Sequence, residues 1–417
     1  MPVFKRFMAA TVAMQVLLVH LAFADENQPY WPQFHGPNGN NISTDSGLLS
    51  EWPEGGPELV WKVEGIGEGF SSVSLANGLI YTAGSIDDSA VVTAINLDGE
   101  IEWQAKCGAA WEKSYPGTRS TPTIDQTRVY FESPLGDLVC LDAKTGELVW
   151  SKNVLEEFGG QNIQWALAES PIVDGDQLIC CPFGSKGSVV ALDKTTGETL
   201  WAAESVGDKA GYATPTIAEF AGTRIVLAMS GKALVGVAAD TGRLLFRHEH
   251  LTKYDVNALK PVYFDGEIFI SSGYKSGSEM VKLSAQGDDM TAEKVWDSQD
   301  MDNHHGGVVR LDGYVYGADS RRSWVCLDWN TGETMYTDRG VGKGSITCAD
   351  GLLYTLSEDR GRVGLVKPTP KAHEVISEFT IPAGGKGKSW AHPVVCGGRL
   401  YIRHGELLFA FDVRLKR

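Results

Sequence analysis

The chain has 417 residues and a formal net charge of −16; that length leaves two or three ordinary domains or one large repeat array. Hydrophobic residues make up 43% and charged residues 22%, the balance of a globular protein with a sizeable core. The acidic excess argues against nucleic acid and against docking on an anionic membrane surface, because both need clustered Lys and Arg.

The chain opens as an export signal. Lys5 and Arg6 precede an apolar stretch, and Ala22–Ala24 supplies a small-x-small cleavage site before Asp25. Residues 1–24 therefore read as a signal peptide and 25–56 as a leader segment, which places the mature protein in a periplasm or outside the cell. No later apolar run approaches the ~20 residues of a membrane span. No Cys stands at the cleavage junction to carry a lipid.

From residue 57 onward one pattern recurs. "AINLDGEIEW" (Ala94–Trp103) comes first and is one residue short. "CLDAKTGELVW" (Cys140–Trp150) and "ALDKTTGETLW" (Ala191–Trp201) follow. "GVAADTGRLLF" (Gly236–Phe246) keeps the spacing with Ala238 in place of Asp, and "CLDWNTGETMY" (Cys326–Tyr336) restores it. Each follows a strand–turn–strand signal such as "TIDQTRVY", "IVDGDQLI" or "RLDGYVY", where a tight-turn pair separates two apolar runs. One unit is thus four short antiparallel strands. The aromatics fall at Trp61, Trp103, Trp150, Trp201, Phe246, Trp296, Tyr336 and Phe379, 40 to 51 residues apart. Four-strand units at that period predict an all-β, eight-bladed β-propeller. "PELVWKV" (Pro57–Val63) lacks a hairpin before it, and "LLFAFDVR" (Leu407–Arg414) lacks an aromatic strand after it. Pairing them closes the ring with strands from both ends of the chain, burying two open sheet edges. Residues 57–417 then form one domain. Blade five carries an insertion, Ala285–Lys294, and blade seven replaces the Thr-Gly turn with "LVKPTPKAHE"; both read as longer outer turns.

The Ala-x-Asp-x-x-Thr-Gly-x-x-x-Trp unit resembles the repeat of the pyrroloquinoline-quinone (PQQ) propeller superfamily, from about Trp61 to Arg414. The opening "WPQFHGPNGNNIS" (Trp31–Ser43) looks like the leader of a bacterial subfamily of secreted PQQ-like propellers. The resemblance implies that Trp150 and Trp201 pack between neighbouring blades, with Cys140 and Ala191 as small partners. The superfamily holds both quinoprotein alcohol dehydrogenases and non-catalytic propellers, among them the scaffold lipoprotein of outer-membrane protein assembly. Fold alone does not separate the two.

The dehydrogenase reading needs a stacked quinone under a bonded Cys-Cys lid, a Ca²⁺ held by Glu and Asn, and an Asp as general base. The adjacent Cys180 and Cys181 fall on the second strand of blade three. Neighbouring strand residues point to opposite faces, so their sulfurs cannot meet at bonding distance, and both read as packed thiols. Glu169 and Asn257 are the candidate Ca²⁺ ligands and Asp302 the candidate base. All three precede the first strand of a blade, where such segments ring the channel mouth. Trp165, Trp390, Arg119, Lys343 and His392 are the candidate cofactor- or ligand-binding residues there, beside Tyr115, Tyr212, His304, His305 and Lys388. Adjacent His304 and His305 in an extended segment are expected to diverge, which disfavours a transition metal.

The favoured reading is a binding or scaffold module that presents its channel mouth to a protein, peptide or glycan, as a monomer and without a cofactor. The alternative is a PQQ- and Ca²⁺-dependent alcohol or sugar dehydrogenase.

Overall fold

The computed structural model describes residues 28–287, 289–359 and 361–416. The signal peptide expected at 1–24 lies outside the described residues. Among these residues, thirty-two strands form eight four-stranded antiparallel sheets, the blades of a propeller. Blade two is representative: Thr123–Asp125, Arg128–Glu132, Asp137–Asp142 and Leu148–Asn153 run from the channel outward. Its two middle strands are mainly buried, whereas the outermost is half-exposed. A middle strand packs on neighbours through both faces and so reads as an apolar run rather than an alternation.

The core is a ring of eight apolar clusters, one between each pair of adjacent blades. The repeat residues build these joints. Asp142 closes the turn before the outer strand by accepting hydrogen bonds from the Lys144 and Thr145 N–H groups and the Thr145 hydroxyl. Asp193 and Asp328 do the same in blades three and six. A β-bulge interrupts the outer pair of every blade, and in seven of them the repeat aromatic sits beside it, turned toward the next blade. In blade seven Ser377 takes that register and Phe379 lies two residues further on, packed against Trp52 and Phe411.

Each of the five repeat tryptophans meets a glycine of the following blade. The indole N–H groups of Trp61, Trp103, Trp150, Trp201 and Trp296 donate to Leu97, Ala143, Lys194, Ala239 and Trp329 carbonyls. Their rings lie over Gly99, Gly146, Gly197, Gly242 and Gly332. Phe246, Tyr336 and Phe379 precede blades five, seven and eight, and those blades lack the Thr-Gly turn. Phe379 still lies over a glycine, Gly56, so what the five tryptophans share beyond the platform is the carbonyl that accepts the indole N–H.

Glu58–Val63 pairs antiparallel with Leu407–Asp412, so the eighth blade is built from both ends of the chain. The blade-five insertion does not form a loose turn. It lengthens the outer hairpin into ten-residue strands, Gly277–Gln286 and Asp289–Ser298. A short helix, Val154–Phe158, follows blade two, capped by the Asn153 side chain and ended by Gly159 at φ 68°; a single turn leaves too little periodicity to read in sequence.

Candidate functional site

The leader closes the channel. Trp31 bridges Leu75 of blade one, and the Ile124 N–H of blade two donates to Pro32 O at 2.7 Å. The Asn41 side chain bonds Ile346 O, and Ile42 bridges Cys348 of blade seven. Between these anchors His35 is buried against His392, and Gly39 lies against the Lys260 side chain. The His392 Nε2–H donates to the His305 carbonyl at 2.7 Å. A neutral His392 therefore accepts at Nδ1, from His35 Nε2–H at 3.0 Å.

Above this floor is a cavity of about 240 Å³. Phe34 and His392 form its base and the lead-in segments of the blades its wall. Eight rings form a contiguous chain, seven of them lining the cavity and Tyr254 linking two of these from outside the lining. Tyr115 lies 4.9 Å from Trp390, Trp390 4.9 Å from His305, His305 4.8 Å from His304 and His304 4.8 Å from Tyr274. Tyr274 lies 5.5 Å from Tyr254, Tyr254 6.0 Å from Trp165, and Trp165 6.3 Å from Tyr212, between centroids. Tyr115, Tyr254 and Tyr274 hold left-handed backbones at φ 55°, 66° and 59°. That region costs an L-residue of this size about 1–3 kcal/mol, a strain that clusters at functional sites.

Arg119 stands in the gap between Tyr212 and Tyr115. Its guanidinium covers Phe70 at 5.5 Å and donates to the Gly117 and Tyr115 carbonyls. Burial lowers its pKa to about 10, and its charge neighbour is Tyr212 rather than a carboxylate. It stays cationic at neutral pH without an acidic partner among the described residues. Behind Trp390, which packs on the same Phe70, Glu358 accepts from His305 Nε2 at 3.1 Å, Lys343 Nζ at 3.2 Å and Trp390 Nε1 at 2.9 Å. Burial opposes its charge, but these donors outweigh burial and hold its pKa below the usual carboxylate range. Burial depresses His304 to about 2 and His392 to about 4. The imidazoles facing the cavity are therefore neutral.

Of the sequence candidates, Arg119, Trp165, Trp390 and His392 line the cavity. Lys343 stands behind the wall, on Glu358 and 3.4 Å from His304 Nδ1. His304 and His305 do not diverge: the chain bends there, and both rings line the cavity. Glu169, Asn257 and Asp302 are buried and absent from the lining. Asn257 donates to Ser230 and His250 carbonyls and accepts from Ser272. Asp302 accepts from the Lys275 and Ser320 N–H groups and the Ser320 hydroxyl. Glu169 accepts from the Cys181 N–H at 2.6 Å and faces the buried carboxyl of Glu132; Ala168 and Ser170, its neighbours, take the cavity side.

A Ca²⁺-held quinone needs free carboxylate and amide oxygens facing the aromatic cavity. Those oxygens are spent inside the fold, and no cluster of three His, Cys, Asp or Glu at metal-binding distance occurs among the described residues. Cys180 packs between blades two and three and Cys181 between three and four. Both thiols are unbonded, and burial raises both well above their usual pKa. The residues present do not fit that cofactor.

Phe34, Phe70, Tyr254, Tyr274 and Glu358 complete the site and were not singled out in sequence. Their signal is position alone: each lies in the leader or in a connection between repeat strands.

The comparisons agree with this architecture. The family model described as outer membrane protein assembly factor BamB matches residues 87–338. BamB of Shewanella oneidensis is 24% identical over 284 residues, covering 63% of this chain and 67% of that protein. The crystal structure of BamB from Moraxella catarrhalis superposes with a TM-score of 0.62 at 16% identity, over 86% of this chain and 98% of that one. Quinohemoprotein alcohol dehydrogenase from Comamonas testosteroni gives 0.64 at 13% identity, over 93% and 81%. With the repeat, the eight closed blades and a family match over more than half its length, the chain belongs to the BamB family of PQQ-like propellers.

Proposed function

We propose that the protein is an exported, periplasmic binding module whose channel mouth receives part of a protein, peptide or glycan partner without a cofactor. The observation that carries this reading is the blind cavity lined by seven rings of that aromatic chain. Rigid aromatic surface around a concave site is the usual currency of recognition. The leader, by closing the channel, makes the site an end-binding pocket rather than a passage. The relation to a protein named for outer-membrane assembly supports a scaffold role. The closed oxygens of Glu169, Asn257 and Asp302 weigh against the dehydrogenase reading.

The test is partner capture with Tyr115→Ala and Trp390→Ala variants against wild type. The reading expects both to lose capture while keeping the wild-type melting temperature within a few degrees. Undiminished capture by both would place the partner on another face.

A further inference from the structure

Resting on that binding reading, the wall chemistry narrows the ligand. Three lead-in backbone N–H groups are already satisfied by hydroxyls of the next blade. Ser72 N–H donates to Thr121 Oγ1 at 3.0 Å, Thr121 N–H to Ser170 Oγ at 2.9 Å and Ser170 N–H to Thr214 Oγ1 at 2.9 Å. A peptide bound as an added strand needs free main-chain donors and acceptors, and this girdle withholds those donors along the lead-ins of blades one to three. The same bonds leave the Ser170 and Thr214 hydroxyl protons to donate, and both residues line the cavity. The wall thus combines aromatic faces, side-chain hydroxyls and neutral imidazoles, which suit a ring with an apolar C–H face and a hydroxylated rim. One charge remains. Arg119 projects a desolvated guanidinium with no acidic partner among the described residues, and such a group gains most from a carboxylate. At about 240 Å³ the cavity is smaller than a drug-sized pocket, and the leader stops any chain from passing through.

We propose that the cavity takes the terminal unit of an acidic glycan, a pyranose ring bearing a carboxylate, with the ring against Trp390 or Trp165 and the carboxylate on Arg119. No bond is made or broken in this step; it is recognition.

The test is calorimetric titration of the full protein with short oligouronates, their methyl esters, neutral oligosaccharides of equal length, and peptides with free C-termini. The acid form is expected to bind one per chain, at least about tenfold tighter than its methyl ester, the size of a charge-assisted hydrogen bond. Esterification alters only the ligand, so this arm stands even if a variant misfolds. Arg119→Gln should erase the acid preference, and Trp390→Ala should weaken acid and ester together. Equal binding of acid and ester, binding of peptides but no sugar, or no sugar binding at all would overturn the proposal. If sugars fail while partner capture still depends on Tyr115 and Trp390, only the ligand class falls. If capture is also indifferent to them, the binding reading falls with it.

Discussion

The indole of Trp150 lies flat over Gly197 of the next blade and donates its N–H to Lys194 O at 3.2 Å. A Cβ added at Gly197 would lie 2.8 Å from Trp150 Cδ2, and the residue sits at φ 75°. Gly197→Ala should therefore cost more than backbone strain alone, about 2–4 kcal/mol. Gly175 has a similar φ of 61° and open space around it, so Gly175→Ala should cost only about 1–2 kcal/mol. Urea unfolding of the two variants checks this; equal losses would mean that the indole does not press on the turn.

Trp150→Ala removes the same joint from the other side. A large aromatic lost from a packed interface costs about 3–5 kcal/mol, and here it also leaves the Lys194 carbonyl without that donor. Chemical denaturation should show a loss in that range. A loss below about 1 kcal/mol would contradict the account of how neighbouring blades adhere.

Glu132 and Glu169 form a buried acid pair. Burial, reinforced by the neighbouring Glu169, raises Glu132 well above its usual pKa, and burial raises Glu169 to about 7. The folded chain keeps protons that the unfolded chain releases above about 4.5. Stability from this pair is thus present at low pH and lost as pH rises through about 7. Glu132→Gln should flatten that fall and raise the melting temperature at pH 8 relative to wild type, by about 1–3 °C. Parallel wild-type and variant profiles from pH 5 to 8 would remove the pair from the explanation.

The histidines act in the opposite sense. Burial holds His304 at about 2 and His392 at about 4, so the unfolded chain takes up protons below about 6.5 that the folded chain refuses. Their contribution is lost as pH falls from 6.5 toward 4 and below. His392→Gln should soften the acid side of the melting profile. An unchanged acid limb would show that His392 is already protonated in the folded protein.

Adding PQQ and Ca²⁺ should give no dye reduction over a panel of alcohols and sugars, because the oxygens of Glu169, Asn257 and Asp302 are occupied within the fold. Reduction that disappeared in Glu169→Gln would restore the dehydrogenase reading.

The blades were legible because each repeat must solve the same joint: Asp142 and Thr145 for the turn, Trp150 for the interface, Gly197 for the platform. The cavity was only half legible, because it is built from segments the blades do not share. Arg119, Trp165 and Trp390 stood out as large groups in lead-ins, yet Phe34 and Glu358 did not. Glu169 looked like the functional end of its segment, but the alternation of Ala168, Glu169 and Ser170 turns the carboxylate inward and the hydroxyl to the cavity. That parity is set only once the lead-in meets Thr121 and Thr214. The leader offered no repeat to align, so its closure of the channel was hidden.

The central claim is that the channel mouth is the recognition face. Benzoylphenylalanine, which keeps an aromatic ring at the position, is placed at Tyr115, 48% exposed on the rim, and compared with the same residue at Val375, 37% exposed on the outer strand of blade seven. The account predicts a discrete crosslinked product at Tyr115, competed by free ligand, and none at Val375. Equal crosslinking at both positions, or product at Val375 alone, would contradict it.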